Sequence, residues 1–113
     1  MIVGIVGSRN FTDFKKLCDV IENFGIKITS IVSGGASGAD TLAELFADKH
    51  NIPIIVIKPD WGKNGKSAGF IRNGDIVANV DVVLAFWDGV SKGTEDTIKK
   101  AARYKKTTII IYI

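Results

Sequence analysis

The sequence predicts an α/β domain with a Rossmann-like, doubly wound fold, a five-stranded, mainly parallel sheet with helices on both faces. Two observations predict it. Five short runs rich in Ile and Val alternate with four segments of helical periodicity, an order that builds parallel strands joined by right-handed crossovers. The strand runs are also nearly continuous in apolar residues, as strands covered on both faces require, and lack the strict alternation of a half-exposed antiparallel sheet. At 113 residues the chain has the size of one domain, so residues 1–113 are read as a single unit.

The first strand is read at Ile2 to Val6. A helix follows with Phe14, Leu17, Cys18, Ile21 and Phe24 on one stripe, Thr12 or Asp13 able to cap it, and Gly25 to stop it. A second strand spans Ile28 to Val32. The second helix, from about Ala39 to His50, sets Leu42, Ala43, Phe46 and Ala47 on one face before Asn51 and Pro53 end it. A third strand covers Ile52 to Ile57. The third helix lies within Ser67 to Asn79, with Ile71, Ile76 and Val77 as its apolar residues and Gly69 and Gly74 weakening it by about 1 kcal/mol each. A fourth strand runs Val80 to Trp87. The fourth helix, about Thr94 to Lys105, carries Ile98, Ala101 and Ala102 and ends in basic residues that suit the helix dipole. Thr107 to Ile113 completes the sheet.

Composition narrows the function. Hydrophobic residues make up 46% and charged residues 24%, an ordinary globular balance. The net charge of +3 favours anionic partners without naming one. One cysteine, Cys18, and one histidine, His50, cannot form an intramolecular disulfide, a zinc site or a Cys–His nucleophile pair, so no metal is expected. No apolar run approaches the ~20 residues of a membrane span, and no signal sequence is evident at the N-terminus. The expected compartment is the reducing cytoplasm.

In a doubly wound sheet, ligands bind beyond the carboxyl ends of the strands, where strand order reverses. Four loops fall at that edge, and all four are rich in Gly, Ser, Asp or Arg: Gly7-Ser8-Arg9-Asn10-Phe11, Ser33 to Asp40, Pro59 through Arg72-Asn73, and Trp87 to Thr94. In the second, Ser33-Gly34-Gly35-Ala36-Ser37-Gly38 leads from a strand directly into a helix, so backbone N–H groups and the helix N-terminus can converge on phosphate. Asp40 is open between closing the helix start and holding a ribose hydroxyl. Ser91, Gly93 and Thr94 offer a second N-terminal anion seat, with Glu95 and Asp96 nearby to oppose it. Neither loop has the full G-x-G-x-x-G spacing, and Gly65-Lys66-Ser67 would need Gly in place of Asp60 to make a Walker A.

Arg9 and Arg72 are the candidate fixed cations, since a guanidinium grips phosphate with two parallel hydrogen bonds; pairing with Asp60 or Asp88 is the structural alternative. Lys58, Lys63, Lys66 and Lys92 add positive potential. Of the aromatics near this edge, Phe11, Trp61 and Trp87, Trp61 is the favoured base-stacking residue because it lies in a polar stretch.

Together these four loops, with Lys66-Ser67-Ala68-Gly69 and Arg72-Asn73 in order, resemble the YspA-like, cpYpsA-related branch of the SLOG superfamily over nearly the whole chain. The resemblance implies a Rossmann-like domain that binds nucleotides or nucleotide-derived ligands, with relatives that include phosphoribohydrolases, the DNA-processing protein A group that binds single-stranded DNA, and sensors of NAD-derived signals. The hydrolases carry Gly-Gly-x-Gly-Thr-x-x-Glu after the fourth strand. Here Gly93-Thr94 matches and Arg72 stands near the arginine position, but Thr97 occupies the place of the catalytic Glu.

The expected function is therefore binding of AMP, ADP-ribose, NAD or a cyclic nucleotide, as sensor, carrier or sequestering module, through Gly7, Ser8, Arg9, the Ser33 to Gly38 loop, Asp40, Trp61, Lys66, Arg72, Asn73, Asp88, Ser91, Gly93 and Thr94. The alternative is N-glycosidic hydrolysis of nucleoside monophosphates, with Arg72, Asp88 and Glu95 as catalytic candidates. A nucleic-acid module using the basic end of the last helix is the least favoured reading. The expected partners are a nucleotide-like small molecule and a second copy of the chain, with nucleic acid not expected and no cofactor firmly implied.

Overall fold

The computed structural model describes residues 1–113. Five strands, β1 (Ile2–Gly7), β2 (Ser30–Ser33), β3 (Ile54–Val56), β4 (Val82–Trp87) and β5 (Thr107–Tyr112), form one sheet in the order β3-β2-β1-β4-β5. Every pairing is parallel, so the sheet is wholly rather than mainly parallel. The helices are α1 (Phe14–Phe24), α2 (Ala39–Lys49), α3 (Trp61–Asn64), α4 (Ala68–Ala78) and α5 (Lys92–Arg103), with a 3-10 turn at Gly65–Ser67 between α3 and α4.

Apolar runs on the central strands explain the two layers. On one face Val3, Ile5, Ile31, Leu84 and Phe86 pack against Leu17 and Ile21 of α1 and Leu42 and Phe46 of α2. On the other, Val6, Val32, Val83 and Ala85 meet Ile76 and Val77 of α4 and Ala101 of α5. Small residues at the α5 contact let that helix lie close to the sheet. Strand order reverses between β1 and β4, and the chain leaves both strands at the same edge.

Local signals set most boundaries. The Asp13 carboxylate accepts from the Lys16 N–H at 3.0 Å and starts α1, while Gly25, at φ 61°, ends it. The structure differs from the sequence reading at several boundaries. β2, β3 and β4 begin two residues later than the apolar runs, because Ile28, Ile52 and Val80 pack on the core from the preceding residues. Helix α5 begins at Lys92 and not at Thr94, with Ser91 at its N-cap. The stretch after Pro59 is the short helix α3, which the Asp60 carboxylate starts by accepting from Lys63 N–H at 3.1 Å.

No helix is long and apolar enough to cross a membrane.

Candidate functional site

The four unusual loops meet over the β1/β4 reversal and enclose a polar cleft of about 270 Å³. Its floor is Val6, Gly7 and Ile76; Arg9 and Ala36 stand on one side, and Ser91, Gly93 and Thr94 on the other. Arg72 on α4 forms the boundary with a second cavity of about 450 Å³, bordered by Gly35, Ser37, Lys58 and Trp61. Lys66 and Phe70 line a smaller continuation of about 210 Å³ beside Trp61. The surface is thus one cationic groove with a deep end at the strand reversal and an outer end at an aromatic ring, which is 56% exposed.

The glycine loop is shaped by close approach. Gly38 stands at φ 77°, and a Cβ there would run into the Ser8 carbonyl and the Arg9 backbone, so no other residue lets α2 begin this near β1. Gly34 lies against Arg72, whose Nη1 donates to the Gly34 carbonyl. The Arg72 guanidinium is half-buried, and its Nε donates to Asn73 Oδ1 at 3.0 Å. Burial lowers its pKa, against the raising influence of Asp40, and Arg9 lowers it further. It stays a cation at any ordinary pH.

Asp40 is 6% exposed in the first turn of α2. Its Oδ2 accepts from the Ala36 N–H at 3.0 Å, so it closes the glycine loop onto the helix. Burial pushes its pKa up to about 6, more than the Ala36 hydrogen bond and the nearby Arg72 charge pull it down. It is the one carboxylate lining the deep cleft.

Several sequence-predicted site residues serve as scaffold. Ser8 is buried; its N–H donates to the Phe86 carbonyl at 2.9 Å and its Oγ accepts from the Asp88 N–H at 3.1 Å, stitching the β1 and β4 loops together. Asn73 Nδ2 donates to the Gly93 carbonyl at 3.2 Å and to Asp96 Oδ2 at 3.1 Å, clamping α4 to the start of α5. Asp88 accepts from the Val90 and Ser91 N–H groups at 2.9 and 2.8 Å, which holds its pKa below the ordinary carboxylate value. Ser33 is buried at the end of β2, and Gly35 N–H reaches its Oγ only at 3.5 Å.

The three catalytic candidates do not converge. Arg72 lines the cleft; Asp88 borders a separate groove beside Asn10 and Lys16, and Glu95 pairs with Lys99 at 2.9 Å along α5. Thr97 lines the cleft at the position where the hydrolases hold Glu, and its Oγ1 donates to the Gly93 carbonyl at 3.2 Å. Phe11 is buried in a stack with Phe86, rings 5.1 Å apart, and Trp87 donates to the Ser91 carbonyl at 3.0 Å, which leaves Trp61 as the exposed ring. Sequence reasoning treated Lys58 and Lys92 as background charge, yet both border the groove. It missed the clamp made by Asp96, whose only sequence signal is Lys100 one turn later, 2.7 Å away in the structure.

Fold and groove define a Rossmann-like domain with a polar, arginine-bearing cleft at its strand reversal. The chain belongs to the YspA, cpYpsA-related SLOG family, whose model matches residues 1–63. It is 33% identical over 111 residues to the Gene 61 protein of Mycobacterium phage D29, covering 88% of this chain and 86% of that protein. Among solved structures it is similar to DNA processing protein A from Streptococcus pneumoniae, with a TM-score of 0.78 and 20% identity over 96% of this chain. It is also similar to DNA processing protein A from Helicobacter pylori, a structure described by its single-stranded DNA binding mode, with a TM-score of 0.71 and 22% identity over 97% of this chain. The chain spans 49% of the first of these proteins and 64% of the second. At such identities the likeness establishes the fold.

These neighbours correct two expectations. The free nucleotide or nucleotide-derived ligand, with its sensor, carrier or hydrolase roles, is overturned: both solved relatives are DNA-processing proteins, and one is described by the strand it binds. The reading of nucleic acid as an unexpected partner falls with it. The physical reason is that a glycine loop, a guanidinium fork and a helix N-terminus recognise phosphate alone, and phosphate is common to a free nucleotide and a strand. Of the basic residues toward the end of α5, Lys99 and Lys100 pair with Glu95 and Asp96.

Proposed function

We propose that the protein binds single-stranded nucleic acid, DNA above all, along the groove from Trp61 to the strand reversal. The observation that carries this reading is the placement of Arg9 and Arg72 between the exposed Trp61 ring and the deep polar cleft. A cationic track beside an exposed aromatic face is what single strands require: phosphates pair with guanidinium and ammonium groups while an unpaired base stacks on the ring. In a duplex the bases are already stacked on one another, so Trp61 favours the single strand. Lys58, Lys66 and Lys92 extend the positive potential along the groove. The similarity to a protein described by its single-stranded DNA binding supports the same reading. We read the compartment as the cytoplasm, consistent with the lone Cys18.

Fluorescence anisotropy with labelled oligothymidine and with a duplex of equal length tests this. Binding of the single strand should be tighter and should weaken linearly in log–log form as salt rises. Absence of binding to either oligonucleotide at low salt refutes the proposal.

A further inference from the structure

The glycine loop's anion seat is already engaged from within. Asp40, almost fully buried, points its Oδ2 at the Ala36 N–H, one of the backbone donors that the loop presents toward the cleft. The same oxygen lies on the flank of Gly34 that also carries Arg72 Nη1, with 3.0 and 2.5 Å separating them from where a Gly34 Cβ would stand. A carboxylate is thus held where donors and cation would otherwise converge on a phosphate oxygen.

We propose that Asp40 is an internal anion competing for the phosphate seat of the glycine loop, and that a nucleic-acid phosphate enters the deep cleft as Asp40 takes up a proton. This inference rests on the nucleic-acid reading and adds its regulation by pH.

The groups facing Asp40 are few. Arg72 approaches from α4 and favours the ionised form, while Arg9 of the β1–α1 loop and Lys92 of the first turn of α5 line the same cleft. Glu44, one turn along α2, disfavours the ionised form of Asp40. Burial does so more strongly, bringing its pKa to about 6. An incoming phosphodiester adds a second negative charge to the same low-dielectric space, so the bound complex favours the protonated acid still more. A neutral carboxyl can also donate to a phosphate oxygen, which a carboxylate cannot. The proton comes from solvent, and no covalent bond is made or broken.

The test is the pH dependence of oligothymidine affinity between about pH 5.5 and 8 at fixed salt, with calorimetry in two buffers of different ionisation enthalpy to count protons. Wild-type affinity should fall toward tenfold per pH unit above the Asp40 pKa, and binding should take up close to one proton. Asp40→Asn, which keeps an acceptor for Ala36 N–H without the charge, should bind with little pH dependence and roughly 30-fold tighter than wild type near pH 7.5. A flat wild-type profile with no proton uptake overturns this inference and leaves strand binding intact. So does an Asp40→Asn profile as steep as wild type. No binding at any pH overturns the nucleic-acid reading and this one with it. The wild-type proton count decides the matter even where the variant is poorly folded.

Discussion

Arg72 on α4 reaches across the groove and donates to the carbonyl of Gly34, 38 positions earlier in the chain, so one guanidinium both tethers the glycine loop and borders the deep and outer cavities. Two consequences separate by substitution. Arg72→Ala should weaken strand binding and lower the salt slope by about 1, the signature of one lost phosphate contact. Arg72→Lys should retain most of that slope, because charge is kept, while losing the planar fork that serves Gly34 and Asn73 together. Anisotropy at four or five salt concentrations distinguishes the two variants, and an unchanged slope in Arg72→Ala would remove Arg72 from the phosphate track.

Trp61 has the opposite balance of roles. With 56% of its surface exposed and no hydrogen bond from its indole N–H to the rest of the chain, it contributes little to the fold. Trp61→Ala should leave the melting temperature nearly unchanged, within the ~0.5 kcal/mol usual for surface positions. Single-strand affinity should drop by about 1–3 kcal/mol, the loss of one base–aromatic stack, with duplex binding hardly altered. Equal losses for single strand and duplex would mean the ring does not stack a base.

The fold was legible in the chain because the information lay in long-wavelength patterns. Five apolar runs and four helical stripes specify a parallel sheet, and the reversal rule then sends the Gly- and Arg-rich loops to one edge. The boundary errors arose where tertiary packing overrides local pattern: Ile28 and Ile52 look like strand residues yet serve the core from turns, and α3 is a four-residue helix with no apolar period to announce it. The site was half legible. Position followed from topology, but roles did not, because Ser8, Asn73 and Asp88 are the residue types that bind ligands and equally the types that tie loops together. Only the contacts across 80 positions for Ser8 and Asp88, and across 20 or more for Asn73, show that their polar atoms serve the scaffold. Asp40 could not be resolved by spacing at all, since its raised pKa comes from burial in the folded chain.

Gly38 offers a test of how the site is built. At φ 77° and ψ −126° it sits in a region that side chains avoid, and a Cβ would press on the Ser8 carbonyl and the Arg9 backbone. Gly38→Ala should cost at least about 2 kcal/mol, combining backbone strain of roughly 1–3 kcal/mol with displacement of a loop that cannot give way without breaking the Ser8–Asp88 stitch. Urea denaturation should show a lower midpoint with an unchanged m-value. A cost under about 0.5 kcal/mol would mean that α2 can withdraw from β1 freely.

Asp40 also links the site to global stability, independently of any ligand. Its folded pKa, about 6, exceeds its ordinary value of 3.8, so between these values the folded state holds more protons than the unfolded one. Stability therefore declines as pH rises through that window, and the carboxylate's burial penalty is fully present above it. About two pKa units correspond to a loss on the order of 3 kcal/mol from pH 4 to pH 7, with Asp88 and Glu95, whose pKa values are lowered, acting in the opposite direction. Asp40→Asn removes the ionisation while keeping an oxygen for the Ala36 N–H, so its stability should exceed that of wild type at pH 7.5 and the advantage should disappear near pH 4. The difference between the two proteins, measured by thermal or urea unfolding at each pH, isolates Asp40 from every other titrating group. A difference that is constant from pH 4 to pH 8 would show that the carboxylate ionises as it does in the unfolded chain, its hydrogen bond to the loop and the Arg72 charge offsetting its burial.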